Sequence, residues 1–508
     1  MKQRNYRSKA KSLLAGRLLI LLLILFQIIL LSAMLFRFAR LYWLTVLLTV
    51  LSVFTALHLL TRSDKSAFKL SLVFLILLLP VFGGAFYWIF HFQTGAHGSR
   101  DSVPPWRKRQ ADEHSLLEQA KKECPRDAKL LTYLQSTAAF PVLQGTQSRY
   151  FPSGEQMLSS LLADLEKARH YIFLEYFLIE EGVMWDSILE VLKRKAAQGV
   201  DVRVIYDDFG SLLTLPADYT ATLGCFGIRC VAFNRFHPFL TTLQNNRDHR
   251  KITVIDGSVA YTGGINLADE YIDKKIRFGK WKDCAIRLQG DAASAFTDMF
   301  LEMWSYITHT EEDPRRYRLT DQPSYPNDGW IQPYTDSPMD KPWVGEQVYL
   351  HAIHRTQRYL YITTPYLMVG DELLSALKYC AQSGIDVRII TPGKPDKPLV
   401  HFTTRSYYRE LLRAGVRIYE YTEGFIHAKS FLSDGDFAIV GTVNMDFRSL
   451  YLLFECGVCL YRSSAAASLL ADFSQTLPLC RPITEKDCKR NPIAKLLQDI
   501  LRIFAPLM

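Results

Sequence analysis

Two widely separated stretches of the chain repeat the pattern H-x-K-x4-D-G, which combines side chains that can attack and hold a phosphate group. The repeated residues are His249, Lys251, Asp256, His427, Lys429 and Asp434. An imidazole can act as a nucleophile toward phosphorus, and a neighbouring ammonium can stabilise the negative charge that builds on the phosphoryl oxygens. Because repetition makes coincidence a poor explanation, the sequence predicts a site for phosphodiester chemistry.

Each copy of the motif is followed by a short glycine-containing segment that ends in an asparagine, Asn266 in the first copy and Asn444 in the second. A carboxamide can donate a hydrogen bond to a phosphoryl oxygen. We therefore expect both asparagines to bind phosphate together with the two lysines. Asp256 and Asp434 belong to the catalytic motif, but the favoured interpretation is that each anchors a strand and its turn.

The surroundings of the motifs predict alternating strands and helices. Residues 251–255 are typical of a β-strand, in which the histidine and lysine of the motif share one face. Helices are predicted at 159–169 and 184–198 and strands at 171–177 and 202–206, and the second half of the chain repeats this order. Two such copies predict a layered α/β/α sandwich of two pseudo-twofold related halves, with the histidine-bearing strands at their joint.

Three apolar runs near the N-terminus, at 18–36, 41–60 and 70–90, are long enough to cross a bilayer and predict two to three transmembrane helices. Six basic side chains before the first run place the N-terminus in the cytoplasm. Three complete spans would then put the rest of the chain outside. That conflicts with the nine scattered cysteines, which show no disulfide framework. Either the third run, which contains Pro80, enters without crossing, or the N-terminus lies outside.

Composition divides the chain into six segments. These are a membrane anchor (1–92), a connector (93–140), a first half (141–312), a linker (313–327), a second half (328–490) and a C-terminal amphipathic helix (491–508). The last helix carries one apolar stripe, which suits either a closing core helix or an interfacial membrane helix. The net charge of +9 favours an anionic partner. Nucleic acid is disfavoured, because no basic run interleaved with aromatic residues lies near either motif.

The doubled motif is similar to that of the phospholipase D superfamily, and its surroundings resemble bacterial cardiolipin synthases. The stretches that carry the likeness are 246–251, 263–271, 281–283, 364–366, 424–429 and 444–449. The resemblance runs from about residue 150 to the C-terminus and extends to the membrane segment. It implies a phospholipase D-like α/β fold behind N-terminal transmembrane helices, in the bacterial plasma membrane, with a cytoplasmic catalytic region.

Two histidines at one phosphate imply a two-step displacement without a metal or other cofactor. One imidazole attacks the phosphorus of phosphatidylglycerol to give a phosphatidyl-histidine, while the other protonates the departing glycerol. The second imidazole then deprotonates a headgroup hydroxyl of another phosphatidylglycerol, whose attack releases cardiolipin. The spacing leaves open which histidine is the nucleophile. Acyl-chain preference, alternative lipid partners and oligomeric state also stay open.

Three competing functions share parts of this site. A membrane-bound phospholipase D would transfer the phosphatidyl group to water with the same catalytic residues. A phosphatidylserine synthase of the same superfamily would need a CDP-activated donor, for which the sequence shows no nucleotide-binding motif. A nuclease would fit the charge and the superfamily, but the predicted membrane runs argue against it.

A nucleophilic imidazole also needs its second ring nitrogen held by an acceptor. The resemblance points to Asp283 as this carboxylate for the first half and to Glu455 for the second, with Glu270 as the runner-up for the first. Arg250 and Arg448 are candidates either for contact with lipid phosphates or for ordinary salt bridges, and both roles stay open.

Overall fold

The computed structural model describes residues 42–62, 64–78, 83–84, 87–88, 114–236, 245–318, 324–339 and 343–508. The first predicted membrane run, at 18–36, lies outside these residues, and the third run is described only in part.

The described chain alternates strands with helices. In chain order the strands are β1 (Thr146–Phe151), β2 (Tyr171–Tyr176), β3 (Asp201–Asp207), β4 (Arg229–Phe233), β5 (Arg247–Asp248), β6 (Lys251–Ile255), β7 (Val259–Gly263), β8 (Lys280–Lys282), β9 (Ala285–Gly290), β10 (Trp330–Asp336), β11 (Tyr359–Thr363), β12 (Leu367–Met368), β13 (Asp386–Pro392), β14 (Arg417–Tyr421), β15 (Gly424–Ile426), β16 (Ser430–Ser433), β17 (Phe437–Gly441), β18 (Met445–Asp446), β19 (Leu453–Tyr461) and β20 (Cys480–Pro482). The helices are α1 (Tyr42–Thr61), α2 (Ser66–Leu78), α3 (His114–Glu123), α4 (Ala128–Thr132), α5 (Gly154–Leu165), α6 (Val183–Ala197), α7 (Tyr219–Gly224), α8 (Ala292–Thr308), α9 (Val344–Arg355), α10 (Asp371–Gln382), α11 (Pro398–Arg413), α12 (Phe447–Tyr451), α13 (Ala465–Thr476) and α14 (Pro492–Ile503).

Two large sheets repeat one strand order, which confirms the predicted α/β architecture of two halves. The first sheet runs β1-β9-β7-β6-β2-β3-β4, and the second runs β10-β19-β17-β16-β11-β13-β14-β20. Three neighbouring strands are parallel in each sheet, β2-β3-β4 in the first and β11-β13-β14 in the second. The strand beside them, β6 or β16, pairs antiparallel and carries or directly follows the H-x-K motif. The second sheet adds β20, antiparallel to β14. The repeat in sequence is therefore a repeat in topology.

Helix α8 lies between the sheets and joins them. Its side chains Phe296, Phe300 and Trp304 recur every four residues and are buried, as expected for one face of a helix. The ring of Phe300 stacks on Phe173 of β2 at 4.6 Å between centroids. Because α8 also contacts β10 of the second sheet, the two halves share one core.

Two short strand pairs cross from one half to the other. Strand β5 pairs in parallel with the beginning of β19, and β8 pairs in parallel with β15. Each pair joins a strand of the first half to one of the second half. These crossings bring the two motif histidines to the joint between the sheets.

The N-terminal helices α1 and α2 pack against each other, and α2 also contacts α14 and residues 505–507. The Lys65 ammonium between them lies 2.7 Å from the Glu346 carboxylate and 3.0 Å from that of Glu372. Phe68 packs edge-on against Tyr451. Within the described part of the chain, none of the helices combines the length and the apolar character needed to cross a membrane.

Candidate active site

The first motif histidine is held by the opposite half of the chain. The backbone N–H of His249 donates to the carbonyl of Phe454, with a donor to acceptor distance of 2.9 Å, which continues the pairing of β5 with β19. The next residue along β19 is Glu455, whose Oε1 and Oε2 atoms lie 2.9 Å and 3.1 Å from His249 Nδ1. With Nδ1 protonated toward this carboxylate, Nε2 has a free lone pair for attack.

The second motif histidine repeats this arrangement in the other direction. The N–H of His427 donates to the carbonyl of Lys282 at 2.7 Å, and Asp283 follows directly. Its Oδ2 atom lies 2.8 Å from His427 Nδ1. The orienting carboxylate of each histidine therefore belongs to the other half.

The sequence-based pairing of carboxylates with histidines was wrong in one respect. It assigned Asp283 to the first half and Glu455 to the second, whereas the structure crosses them. The reason is the backbone hydrogen bond of each histidine, which places its ring beside the strand of the opposite half. The runner-up Glu270 does not orient a motif histidine, because its carboxylate pairs with the Arg277 guanidinium at 3.2 Å.

Both motif lysines are buried and turned toward the histidine of their own motif. Lys251 Nζ donates to the His249 carbonyl at 2.6 Å, and Lys429 Nζ donates to the His427 carbonyl. Burial lowers the pKa of Lys251 to about 8 and that of Lys429 to about 7, although nearby carboxylates act in the opposite direction. A bound phosphate would favour the charged form of both lysines.

The pKa values of both histidines are lowered, whereas those of the two orienting carboxylates are shifted in opposite directions. Burial, followed by the charge of Lys429, lowers the pKa of His427 to about 4. Burial also lowers the pKa of His249 well below its usual range and raises that of Glu455. Burial acts to raise the pKa of Asp283 too, but His427 and Lys429 lower it overall. Asp283 is therefore the more anionic of the two orienting groups.

The two asparagines occupy equivalent positions but have different partners. Asn266 Oδ1 accepts from the N–H of Leu178 at 3.2 Å, and its Nδ2 donates to the Tyr271 hydroxyl at 2.6 Å. Asn444 is also buried, yet its Oδ1 has no hydrogen-bond partner in the part of the chain that the structure describes. No hydrogen bond is formed by the Asn444 Nδ2 group either among the described residues, so this N–H donor remains available to a phosphoryl oxygen.

The motif aspartates lie at the far ends of their strands and bind backbone. The Asp256 carboxylate accepts from the N–H groups of Arg169, His170 and Tyr171 at 2.7–2.8 Å. The Asp434 carboxylate accepts from the N–H groups of residues 357–359 and from the Arg126 guanidinium. Both aspartates anchor the loop that enters a neighbouring strand, and neither contacts a motif histidine.

The two arginines singled out in the sequence have different environments. Arg250 is buried and pairs with Glu175 at 2.5 Å and with Asp248 at 3.2 Å, which makes it a structural ion pair. Arg448 is partly buried, and its guanidinium donates to the carbonyl of Asn245 at 3.4 Å.

Several residues that complete the site escaped sequence reasoning. The Thr442 hydroxyl donates to Glu455, and the rings of Tyr271 and Trp281 flank His427 with centroids 5.7 Å and 5.8 Å away. The signal for Thr442 lies in the segments that end in the two asparagines, because residues 263–266 read G-G-I-N and residues 441–444 read G-T-V-N. At the equivalent Gly264 a side chain would collide with Asp283, since a Cβ there would meet its carboxylate oxygen at 2.0 Å.

The described residues hold no group of three or more His, Cys, Asp and Glu side chains arranged to bind a metal ion. The donors that converge on the site are the imidazoles, ammonium groups and amide described above. They suit a phosphodiester anion.

Comparison with known proteins identifies the family. A family model described as a cardiolipin synthase, PLD-like domain, matches residues 161–304 and 349–477. The chain belongs to the cardiolipin synthase family. Each matched segment of this family member contains one H-x-K motif and lies within one half of the fold.

Individual proteins are similar to this cardiolipin synthase family member over most of its length. A cardiolipin synthase of Geobacillus sp. is 33% identical over 476 residues, which cover 92% of this chain and 94% of that protein. An uncharacterized protein of Streptococcus mutans is 43% identical over 394 residues, covering 77% of this chain and 85% of that protein. The crystal structure of a phosphatidylserine synthase from Haemophilus influenzae shares the fold, with a TM-score of 0.55, 17% identity and coverage of 72% of this chain and 95% of that chain.

Proposed function

We propose that this member of the cardiolipin synthase family is a phosphatidyltransferase that converts two phosphatidylglycerol molecules into cardiolipin and glycerol. The observation that carries the proposal is the crossed pairing of each motif histidine with a carboxylate of the opposite half, His249 with Glu455 and His427 with Asp283. The crossing builds one site with two oriented imidazoles. A two-step transfer through a covalent intermediate needs such a pair.

In the first step, the Nε2 atom of one imidazole attacks the phosphorus of a phosphatidylglycerol. The bond from phosphorus to the headgroup glycerol breaks, and the other imidazole, which takes up a proton on Nε2 when the phosphodiester anion binds, gives this proton to the departing glycerol oxygen. Lys251, Lys429 and Asn444 stabilise the negative charge on the phosphoryl oxygens. The product is a phosphatidyl-histidine.

In the second step, the imidazole that gave up its proton acts as a base. It takes a proton from a headgroup hydroxyl of a second phosphatidylglycerol, and the freed oxygen attacks phosphorus. The bond from phosphorus to nitrogen breaks, and cardiolipin leaves. One phosphodiester replaces another, so the reaction needs no high-energy donor and is reversible.

The apolar surfaces at both ends of the chain support attachment of the enzyme to the bacterial plasma membrane. Helix α1 exposes Trp43 and Phe54, and α14 exposes Ile493 and Leu496. Leu77 of α2 is also exposed, and Phe74 of α2 packs against Phe504 just after α14. Helices α1 and α2 overlap the second and third runs of the predicted multi-pass anchor, and these surfaces, with that of α14, suit lipid contact. A cytoplasmic catalytic region requires one of two arrangements: the third run enters the bilayer without crossing it, which keeps the basic N-terminus in the cytoplasm, or the N-terminus lies outside.

The function is tested by placing the purified full chain in vesicles of phosphatidylglycerol alone, without nucleotide. We expect cardiolipin and free glycerol to appear in equal amounts. Phosphatidic acid with little cardiolipin would make the enzyme a hydrolase. A reaction that starts only after addition of a CDP-activated lipid would assign a different donor.

A further inference from the structure

The product of the proposed reaction places a geometric demand on the site. Cardiolipin contains two phosphate groups joined by one glycerol, so the acceptor lipid brings its own phosphate within a glycerol's length of the reacting phosphorus. Two phosphodiester anions this close repel each other in a site with little water. A second set of cations, apart from Lys251 and Lys429, is needed to hold the acceptor phosphate.

Arg448 stands where such a cation would act. It lies four residues after Asn444, in helix α12, and its guanidinium reaches the carbonyl of Asn245, four residues before His249. In the described part of the chain no carboxylate lies within salt-bridge distance of this guanidinium. Arg250, by comparison, has two such carboxylates within 3.2 Å.

Lys397 supplies a second cation from another element. It is exposed at the N-terminus of α11, and its ammonium lies 5.2 Å from the centroid of the Tyr366 ring. Among the residues that the structure describes, no hydrogen bond or ion pair is formed by this ammonium. Tyr366 directly precedes β12, which pairs with Met445 and Asp446 in β18, between Asn444 and Arg448.

The charge of Lys397 is felt at His249, and the charges of Lys397 and Arg448 are both felt at Asp446. Burial is the main cause of the low pKa of His249, and the charge of Lys397 adds to it after those of the motif residues. Burial also raises the pKa of Asp446, whereas Lys397 and Arg448 both act to lower it. Asp446, two residues after Asn444, therefore lies within electrostatic reach of both cations.

The two halves differ at this point. In the first half the residue four positions after Asn266 is Glu270, an acid, whereas in the second half the residue four positions after Asn444 is Arg448. If these two positions served only the fold that both halves share, they would not need side chains of opposite charge. The second half alone offers an anion a cationic approach to the site at this position.

We propose that Arg448 and Lys397 bind the phosphate of the acceptor lipid and so select a phospholipid over water or free glycerol as the acceptor. This assignment rests on the proposed transfer reaction, because it names the second substrate of that site. Glycerol can accept the phosphatidyl group from the same intermediate without presenting a phosphate. The two acceptors therefore separate the role of these cations from that of the motif residues.

The test uses the full chain in phosphatidylglycerol vesicles with isotopically labelled glycerol in solution. Cardiolipin formation reports the lipid acceptor, and incorporation of label into phosphatidylglycerol reports the neutral acceptor. We expect Arg448→Gln and Lys397→Gln each to lower the ratio of the first rate to the second about tenfold, as for loss of one charge-assisted hydrogen bond. Arg413→Gln, which removes an exposed arginine of α11 paired with Glu485, should leave the ratio unchanged.

Equal loss of both reactions in the Arg448 and Lys397 variants, or no loss in either, would overturn the acceptor site. Retained incorporation of labelled glycerol shows in the same sample that a variant is folded. A wild-type enzyme that incorporates glycerol but makes no cardiolipin would instead overturn the proposed function, and the acceptor site with it.

Discussion

The Nδ1 atom of His427 lies 2.8 Å from Oδ2 of Asp283, although the two residues are 144 positions apart and belong to different halves of the fold. The same relationship joins His249 to Glu455 across 206 positions. Neither half can orient its own histidine. The two halves are thus complementary parts of one site, and separate copies of the repeat would lack the chemistry.

The crossed pairing predicts which histidine each carboxylate controls. Asp283→Asn should change the ring nitrogen signals of His427 and lower its pKa further, because Asp283 acts to raise that pKa. Glu455→Gln should instead change the signals of His249. Both variants should slow transfer at least a hundredfold, since the orientation of the reactive imidazole is lost.

The measurement is nuclear magnetic resonance of the enzyme with isotopically labelled histidine rings. Glu270→Gln is the matched control and should leave both signals unchanged, because Glu270 pairs with Arg277. A response of His249 to Asp283→Asn would contradict the crossing.

The buried lysines predict a fall of activity at alkaline pH. Lys429 has a pKa lowered to about 7 and Lys251 one lowered to about 8, so the free enzyme loses these charges as pH rises through that window. A neutral amine cannot stabilise the transition state electrostatically. The value of kcat/KM, which reports the free enzyme, should therefore decline between about pH 7 and 9.

The pH profile of kcat provides the internal comparison. A bound phosphodiester raises the pKa of both lysines, so the decline of kcat should lie at higher pH than that of kcat/KM. Identical profiles that stay flat to pH 10 would rule out titrating lysines in the site.

The asparagines should behave differently despite their equivalent positions. Asn444→Ala should lower kcat/KM roughly tenfold or more with little change in thermal stability, because its amide oxygen has no partner to lose among the described residues. Asn266→Ala should cost about 1–3 kcal/mol of stability, since the Leu178 N–H and the Tyr271 hydroxyl lose their partner. Enzyme kinetics and thermal unfolding of both variants test this difference, and equal effects on stability would refute it.

The motif aspartates should prove structural. Asp434→Asn weakens the contacts to the N–H groups of residues 357–359 and to Arg126, so we expect a lower unfolding temperature. The fraction that remains folded should keep most of its kcat. A loss of kcat as large as that of His427→Ala, in a fully folded Asp434→Asn enzyme, would return the aspartate to the catalytic set.

Much of the fold could be predicted from the sequence, because local patterns specify it. The helix expected at 184–198 is found at Val183–Ala197, and the strand expected at 202–206 at Asp201–Asp207. The doubled motif predicted both histidines as catalytic candidates, and the repeated strand order correctly predicted that they lie at the joint of the halves. Hydrophobic periodicity and repetition are short-range signals that survive without any knowledge of tertiary contacts.

The crossing of the carboxylates could not be predicted in the same way. It depends on β5, β8 and β15, strands of two or three residues that are too short to show alternation in sequence. Their pairing is decided by the packing of one half on the other. The role of Arg250 likewise required burial to be known, because only the structure shows Glu175 and Asp248 around its guanidinium.

The central claim is that the two motifs form one site that carries the phosphatidyl group on a histidine. It is tested most directly by mixing the enzyme with phosphatidylglycerol labelled in its phosphate, stopping the reaction rapidly and counting label on the protein. The account predicts at most one labelled group per chain, bound to a histidine nitrogen and therefore labile in acid, and its absence when the nucleophilic histidine of the pair His249 and His427 is replaced by alanine. Two labelled groups per chain, or cardiolipin formed at full rate without any labelled protein, would contradict it.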